Sequence, residues 1–385
     1  MNRKKIAIVF ITHHEDTLGN NNRLFQIEYL NKFFTIDIYT NVLSFVKDKF
    51  PDNQVYKVKI GRRNKFPIVE DLIFAYQASN EINKRNYDGV YMIFDQAIMS
   101  WFIKVPVFVY IHQYGIRRKK GVNSPRIILK DFFENLLNQI RIQSLKKANK
   151  IFVVSEPIIQ FLKRKGIENL VFTPHGVLPE KFHNPRENDV HRKQIEYRKK
   201  GYKVLCFCGA VKETTGIHLM LEAVRRIFEV REDVMFVVAG AKEHYFDFIN
   251  QFAQDHFLNE RIINYGLIDS KDVPAIIKHS DICYSLWNPG IEGFHFAPPQ
   301  KIVEYLSAGK PVICNKISTH ELIVEDKVNG VVIDYDVNDL IDSSLELLTD
   351  QVMYKKYARN AIETSQKYDA NDIYGMMVNE MNECI

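Results

Sequence analysis

The sequence predicts an α/β protein of two doubly wound domains facing each other across a cleft. Three observations carry that prediction. Short, continuously apolar runs alternate with longer amphipathic runs, the pattern of parallel strands buried on both faces and joined by helices. The alternation stops once, in a polar stretch at 184–201, and then restarts. The chain has 385 residues, the length of two domains at roughly 150 residues each.

Taken in order, the first half places strands at 5–11, 36–40, 89–94, 107–111, 151–154 and 171–173. Helices between them include 22–33, 69–86 and 127–148. The opening run ends at His13-His14 with no small-residue cleavage site, so it reads as a buried first strand and not a signal peptide. The second half places strands at 203–208, 234–239, 262–265, 282–286, 312–313 and 331–333. Its helices are expected at 217–230, 245–257, 271–279 and 299–308, with helices to the end. This gives an N-terminal domain over 1–183, a linker over 184–201 and a C-terminal domain over 202–365. The last helix, 366–385, is expected to pack back toward the N-terminal domain. In such domains ligands bind beyond the carboxyl ends of strands, at helix N-termini.

Composition narrows the function classes. Hydrophobic residues make up 46% and charged residues 26%, an ordinary globular balance. No run reaches the roughly 18 apolar residues of a membrane span. The five cysteines, Cys206, Cys208, Cys283, Cys314 and Cys384, form no CxxC pair. They read as reduced thiols of a cytoplasmic protein, not as a disulfide framework or a zinc site. Net charge is +5, but residues 1–190 carry +12 and residues 191–385 carry −7. Residues 101–150 alone hold 11 basic and 2 acidic residues, a concentration that attracts an anionic partner.

The most informative stretch is Lys301-Ile302-Val303-Glu304-Tyr305-Leu306-Ser307-Ala308-Gly309-Lys310-Pro311-Val312-Ile313. Pro298 and Pro299 suit a helix start, and the first-turn amides are left to bind an anion. Glu304, in the second turn, is either a surface glutamate on an amphipathic helix or an acceptor for a pair of sugar hydroxyls.

This stretch resembles the C-terminal signature of family 4 glycosyltransferases, nucleotide-sugar enzymes of the GT-B fold with two Rossmann-like domains. The resemblance runs through nearly the whole chain. It includes the segment Ala148–Glu156, the run Phe172-Thr173-Pro174-His175-Gly176-Val177, Cys208-Gly209 with Thr215-Gly216-Ile217, Tyr265-Gly266-Leu267-Ile268, and Glu321 with Gly330. It implies that Glu304 holds the nucleotide ribose, that Gly209 lets the backbone approach the diphosphate, and that Leu267 lies in the loop meeting the base. It also implies that His112, after the strand 107–111, stands beside the donor sugar, where a neutral imidazole can donate or accept one hydrogen bond. Asp95, after the strand 89–94, is a second polar contact, or a general base if the enzyme inverts.

Three departures from the family pattern stand out. The position eight before Glu304 is Phe296, where the family carries its first glutamate. Glu292-Gly293-Phe294 resembles the opening of that motif four residues early, so amides near His295, Phe296 and Ala297 are candidates for the sugar contact. Ala210 and Thr215 occupy positions where the family neutralises the diphosphate with basic residues. A leaving diphosphate needs positive charge, and Lys212 and Lys301 are the nearest candidates. The third departure is His175, in place of an asparagine.

Other motifs are weaker. Asp334-Tyr335-Asp336 matches a metal-binding D-x-D but follows a late strand, and the resemblance implies no metal and no cofactor. His13-His14-Glu15-Asp16 fits no zinc-helix spacing and reads as a polar loop that, with Gly19, lines the acceptor side. No nucleic-acid signature is present. The basic run Arg117, Arg118, Lys119 and Lys120 leads through Arg126, Lys130 and Arg141 into an amphipathic helix. That is either a buried helix with a solvated flank or a docking element for an anionic membrane, extended by Arg62, Arg63 and Lys65. The function expected is transfer of a sugar from a nucleoside diphosphate, UDP first and GDP second, to a saccharide or lipid-linked saccharide hydroxyl. The mechanism implied is retaining, in surface polysaccharide or glycolipid synthesis. A nucleotide-sugar epimerase and a catalytically degenerate scaffold are the alternatives.

Overall fold

The computed structural model describes residues 3–11, 21–58, 67–112, 125–291, 295–296 and 298–385. Contacts divide the chain into two units, Met1–Pro174 with Asn371–Ile385, and His175–Ala370.

The first unit is built on seven parallel strands: β1 (Lys5–Phe10), β2 (Thr35–Thr40), β3 (Gln54–Lys57), β4 (Gly89–Ile93), β5 (Val107–Ile111), β6 (Lys150–Val153) and β7 (Leu170–Phe172). Their order is β3-β2-β1-β4-β5-β6-β7. Central strands β4 and β5 are buried at every residue, as their unbroken apolar runs require. Edge strand β3 is not; its four residues are exposed or half-buried, which is why no apolar run marks it. The last helix, Ala370–Asn382, lies on this unit. Tyr374 is buried against Tyr29, with ring centroids 5.7 Å apart, and Lys150 pairs with Glu380. The packing of the C-terminal helix back onto the N-terminal sheet thus follows the sequence expectation.

The second unit carries β8 (Lys203–Cys208), β9 (Val234–Ala239), β10 (Ile262–Asn264), β11 (Ile282–Ser285), β12 (Val312–Asn315) and β13 (Gly330–Ile333), all parallel, in the order β10-β9-β8-β11-β12-β13. Its core fills both faces of the sheet. Phe236, Tyr284 and Leu340 are buried on one side, Ile302, Tyr305 and Leu306 on the other. The polar stretch 184–201 contains a helix, Arg192–Lys199, packed on this unit. Its buried Gln194 donates to the Ile276 carbonyl at 3.0 Å and accepts from the Tyr265 hydroxyl at 3.2 Å. A helix anchored by an amide has no apolar stripe to display, so the sequence reads it as a linker.

In both sheets the strand order reverses beside the first strand, between β1 and β4 and between β8 and β11. Ligands of doubly wound sheets bind at the carboxyl ends there.

Candidate active site

The carboxyl end of β8 is the centre of the second unit's site. The chain turns at Gly209, φ +147°, and the turn is packed against Gly240, which follows β9 with φ +105°. A Cβ on Gly240 would lie 2.2 Å from the Gly209 carbonyl oxygen, so only glycine fits. The Gly240 N–H donates to the Gly266 carbonyl at 2.7 Å, which carries the lacing to the end of β10. Leu267, next in the chain, stands 64% exposed. The result is a crest of interlocked backbone, with the Lys301 side chain against Gly209 and the Phe246 ring against Gly266.

Helix Gln300–Ser307 lies across this crest, buried through Ile302, Val303, Tyr305 and Leu306. The Tyr305 hydroxyl fixes it there. It accepts from the Cys208 N–H and donates to the Cys208 carbonyl, both at 2.9 Å. That anchor sets the register of the two ionisable residues of the helix. Lys301 extends its stem along Gly209, its Nζ 3.6 Å from where a Cβ would be, and its ammonium lies 4.2 Å from the centre of the Phe207 ring. Glu304 follows one turn on. Burial pulls the Lys301 amine down to about 7, and burial pushes the Glu304 carboxyl up to about 7, each opposed by the charge of the other.

Lys212 differs. It is exposed on the loop between Gly209 and helix Ile217–Val230. Thr215 shapes that loop: its hydroxyl accepts from the Lys212 N–H at 2.9 Å and donates to the Lys212 carbonyl at 2.8 Å. Thr215 therefore closes the turn where the resemblance expects a cation.

The strand ends β11 and β12 add groups that sequence reasoning missed. The Trp287 ring is tilted against His320 at 4.9 Å between centroids, and the Trp287 backbone N–H donates to Asn315 Oδ1 at 2.8 Å. Burial drives His320 down to about 3, with Lys301 and His295 lowering it further. His295 Nδ1 lies 3.2 Å from Ser318 Oγ, and Phe296 is half-buried beside it. No sequence signal marks Trp287 or His320, because their roles come from contacts between strand ends.

The other predicted residues fall elsewhere. His112 ends β5, its ring parallel to Tyr110 at 6.4 Å. Asp95 is the second residue of the 3₁₀ turn Phe94–Trp101 after β4. Ile93 pairs with Tyr110 at the ends of the neighbouring strands β4 and β5, and Asp95 and His112 each follow two residues later in the chain. Asp95 is 3.7 Å from the buried Arg141, which also pairs with Asp71 at 2.9 Å. In the D-x-D run Asp336 caps helix Val337–Thr349 by accepting from the N–H groups of Asn338 and Asp339, and Asp334 pairs with Lys316 at 2.9 Å. Ala297, Arg117, Arg118, Lys119 and Lys120 lie outside the described residues. So do Glu292–Phe294, the loop at 13–19, and Arg62, Arg63 and Lys65.

Residues 189–364 match the model of the family described as glycosyl transferases group 1. This region belongs to that family. The putative glycosyltransferase YtcC of Bacillus subtilis (strain 168) is 29% identical over 183 residues, 43% of this chain and 42% of that protein. Spore coat protein SA of the same organism is 26% identical over 210 residues, 49% of this chain and 53% of that protein. The chain spans about half the length of these two curated relatives. Among solved structures, the HepE protein of Anabaena in complex with UDP and glucose superposes with a TM-score of 0.75 at 14% identity, covering 99% of this chain and 100% of that one. The group 1 region and the unit before it thus share the GT-B fold. Among the described residues no helix is long and apolar enough to cross a membrane.

Proposed function

We propose that the chain transfers a sugar from a nucleoside diphosphate donor, a UDP-sugar first, to an acceptor hydroxyl, with retention and without a metal. The observation that carries this reading is Lys301 laid against Gly209 on the helix that also bears Glu304. The glycine crest admits a diphosphate, Lys301 and the first amides of its helix balance the charge, and Glu304 accepts the ribose hydroxyls. When the sugar C1–O bond breaks, negative charge grows on the β-phosphate, and preorganised positive groups act on that change most strongly. Lys301 takes the role of the family's missing basic pair, because Lys212 is turned to solvent. The amides at His295 and Phe296 are assigned to the donor sugar and Leu267 to the base. That HepE binds UDP and glucose supports the donor class.

The N-terminal unit is assigned the saccharide or lipid-linked acceptor, with His112 as its hydrogen-bonding group and Asp95 as a polar neighbour. Helix Pro125–Leu145 leaves Phe132, Phe133 and Leu136 exposed while burying Leu137 and Ile142. An apolar face in a segment with 11 basic and 2 acidic residues fits an anionic membrane surface. Synthesis of surface polysaccharide or glycolipid is the biology this reading serves.

The test is thermal shift and calorimetry with UDP, GDP and their sugars, with Glu304→Ala alongside. A ligand at a hundredfold excess over Kd stabilises by about 2.7 kcal/mol. A UDP shift that disappears in Glu304→Ala is expected; no shift with any nucleotide overturns the reading and favours a scaffold. Conversion of donor without acceptor would make the protein an epimerase.

A further inference from the structure

We infer that the N-terminal unit carries a second, separate binding site, a hollow at the sheet edge that takes an acidic saccharide. The hollow has a volume of about 700 Å³, in the range of small-molecule sites. It is bounded by edge strand β3, the end of β2, helix Pro67–Asn83 and the turn before β5. None of these residues belongs to the group 1 region, and none has a part in the donor site.

Its lining divides by chemistry. Tyr56 and Phe74 form an apolar wall, and the amides of Gln77 and Asn80 supply donors and acceptors suited to sugar hydroxyls. Lys57, Lys84, Arg85 and Lys104 make the hollow cationic, against a single carboxylate, Glu81. Among the described residues, the ion pairs of the hollow join Glu81 to Lys84 at 2.5 Å and to Arg85 at 3.9 Å. Lys57 and Lys104 are left for a ligand.

Arg85 is held in place. Its guanidinium lies over Tyr56, 4.2 Å from the ring centre, Tyr56 stacks on the buried Tyr39 at 5.0 Å, and Arg85 Nη1 donates to the Glu81 carbonyl at 2.8 Å. Asn83 holds the opposite lip, donating to the Phe102 carbonyl at 2.8 Å and accepting from the Lys104 N–H at 3.2 Å. A preorganised guanidinium with lysines and amides around it favours a ligand with both hydroxyls and a negative group over a bare anion.

The test uses the full chain without nucleotide and calorimetry with three probes: a hyaluronan tetrasaccharide, maltotetraose and inorganic phosphate. The acidic tetrasaccharide is expected to bind at least about tenfold more tightly than maltotetraose. Lys57→Glu/Lys104→Glu changes two surface side chains, and is expected to weaken the acidic tetrasaccharide by about tenfold or more with the melting temperature and UDP binding unchanged. Glu304→Ala is expected to leave it unaltered, so this site and the donor reading fail separately. No binding of the acidic tetrasaccharide, equal binding by the double variant, or full displacement by phosphate at equal concentration overturns the inference.

Discussion

The two units run the same strand order, counted from each unit's first strand, and finish their strands in opposite ways. In the second unit the strand ends are backbone. Gly209, Gly240 and Gly266 interlock, and helix Gln300–Ser307 is tied down through Tyr305. In the first unit the described strand ends are side chains: Asp95, its partner Arg141, and His112 beside Tyr110. The charge difference, +12 over residues 1–190 against −7 over 191–385, runs the same way. The net-negative half carries the proposed anion site. A diphosphate bound there would be held by local placement of Lys301 and amides and not by bulk charge. Topology decides where a ligand can sit; the finish of the strand decides what sits.

The comparison can be broken most directly at Lys301. Lys301→Met is expected to lower kcat by roughly 10²–10³, as for loss of one preorganised donor. Lys212→Ala is expected to change it less than about threefold, the scale of an exposed charge. A steady-state assay with the two variants side by side decides between the cations. Equal losses would return Lys212 to the site.

The glycine crest sets up a second contrast. Gly240→Ala places a Cβ 2.2 Å from the Gly209 oxygen at φ +105°, and is expected to cost on the order of 3 kcal/mol. Gly166, in the first unit, also has a positive φ, +73°, but no neighbour within 4 Å of its Cβ position. Gly166→Ala is expected to cost only about 1 kcal/mol. Denaturant melts of both variants measure the difference, and equal losses would mean that the close approach is not what holds the crest.

A third test is proton uptake. With its amine near 7, Lys301 is mostly neutral at pH 8 in the empty protein, and a diphosphate beside it favours the charged form. UDP binding at pH 8 is expected to take up close to one proton, read from calorimetry in buffers of different ionisation enthalpy, and Lys301→Met abolishes it. Stability follows by linkage. Between the Lys301 value near 7 and its ordinary 10.5, the unfolded chain holds more protons, so stability rises with pH. Between the ordinary 4.5 of Glu304 and its value near 7, the folded chain holds more, so stability falls with pH. The pair contributes least near pH 7. The smallest effect belongs to Thr215→Val, which removes the hydroxyl closing the Lys212 turn and is expected to cost about 1 kcal/mol, seen as a small loss in melting temperature.

Much of the fold was legible in the residues. Apolar runs gave both sheets, and the family resemblance, not any spacing rule, pointed to Gly209 and Glu304, with Lys301 as one of two candidate cations. What was hidden depends on contacts between distant segments. Edge strand β3 has no buried face to announce it, and the helix holding Gln194 docks through polar bonds. Tyr305 reads as one more buried aromatic until its hydroxyl meets Cys208, 97 residues away. Arg141 lies 46 residues beyond Asp95, and no spacing rule joins them. The D-x-D run has the reverse problem: a pattern visible at once whose second aspartate is a helix cap.

The chain enters the second unit at His175 and leaves it at Ala370, and the two crossings are stapled. Val177 donates to the Tyr368 carbonyl at 2.9 Å, Ala370 donates to the Val177 carbonyl at 2.8 Å, and a Cβ on Gly176 would touch the Ala370 Cα at 2.8 Å. Neighbouring ends are the hallmark of an inserted module. Residues 175–370 thus form a unit nested between two segments of the first, whose helix Ala370–Asn382 is encoded after it. A ribosome completes residues 175–370 before helix Ala370–Asn382 is made, so that unit can mature first, and a nonsense codon past Ala370 would spare it and all seven strands of the first sheet while removing the helix packed on them.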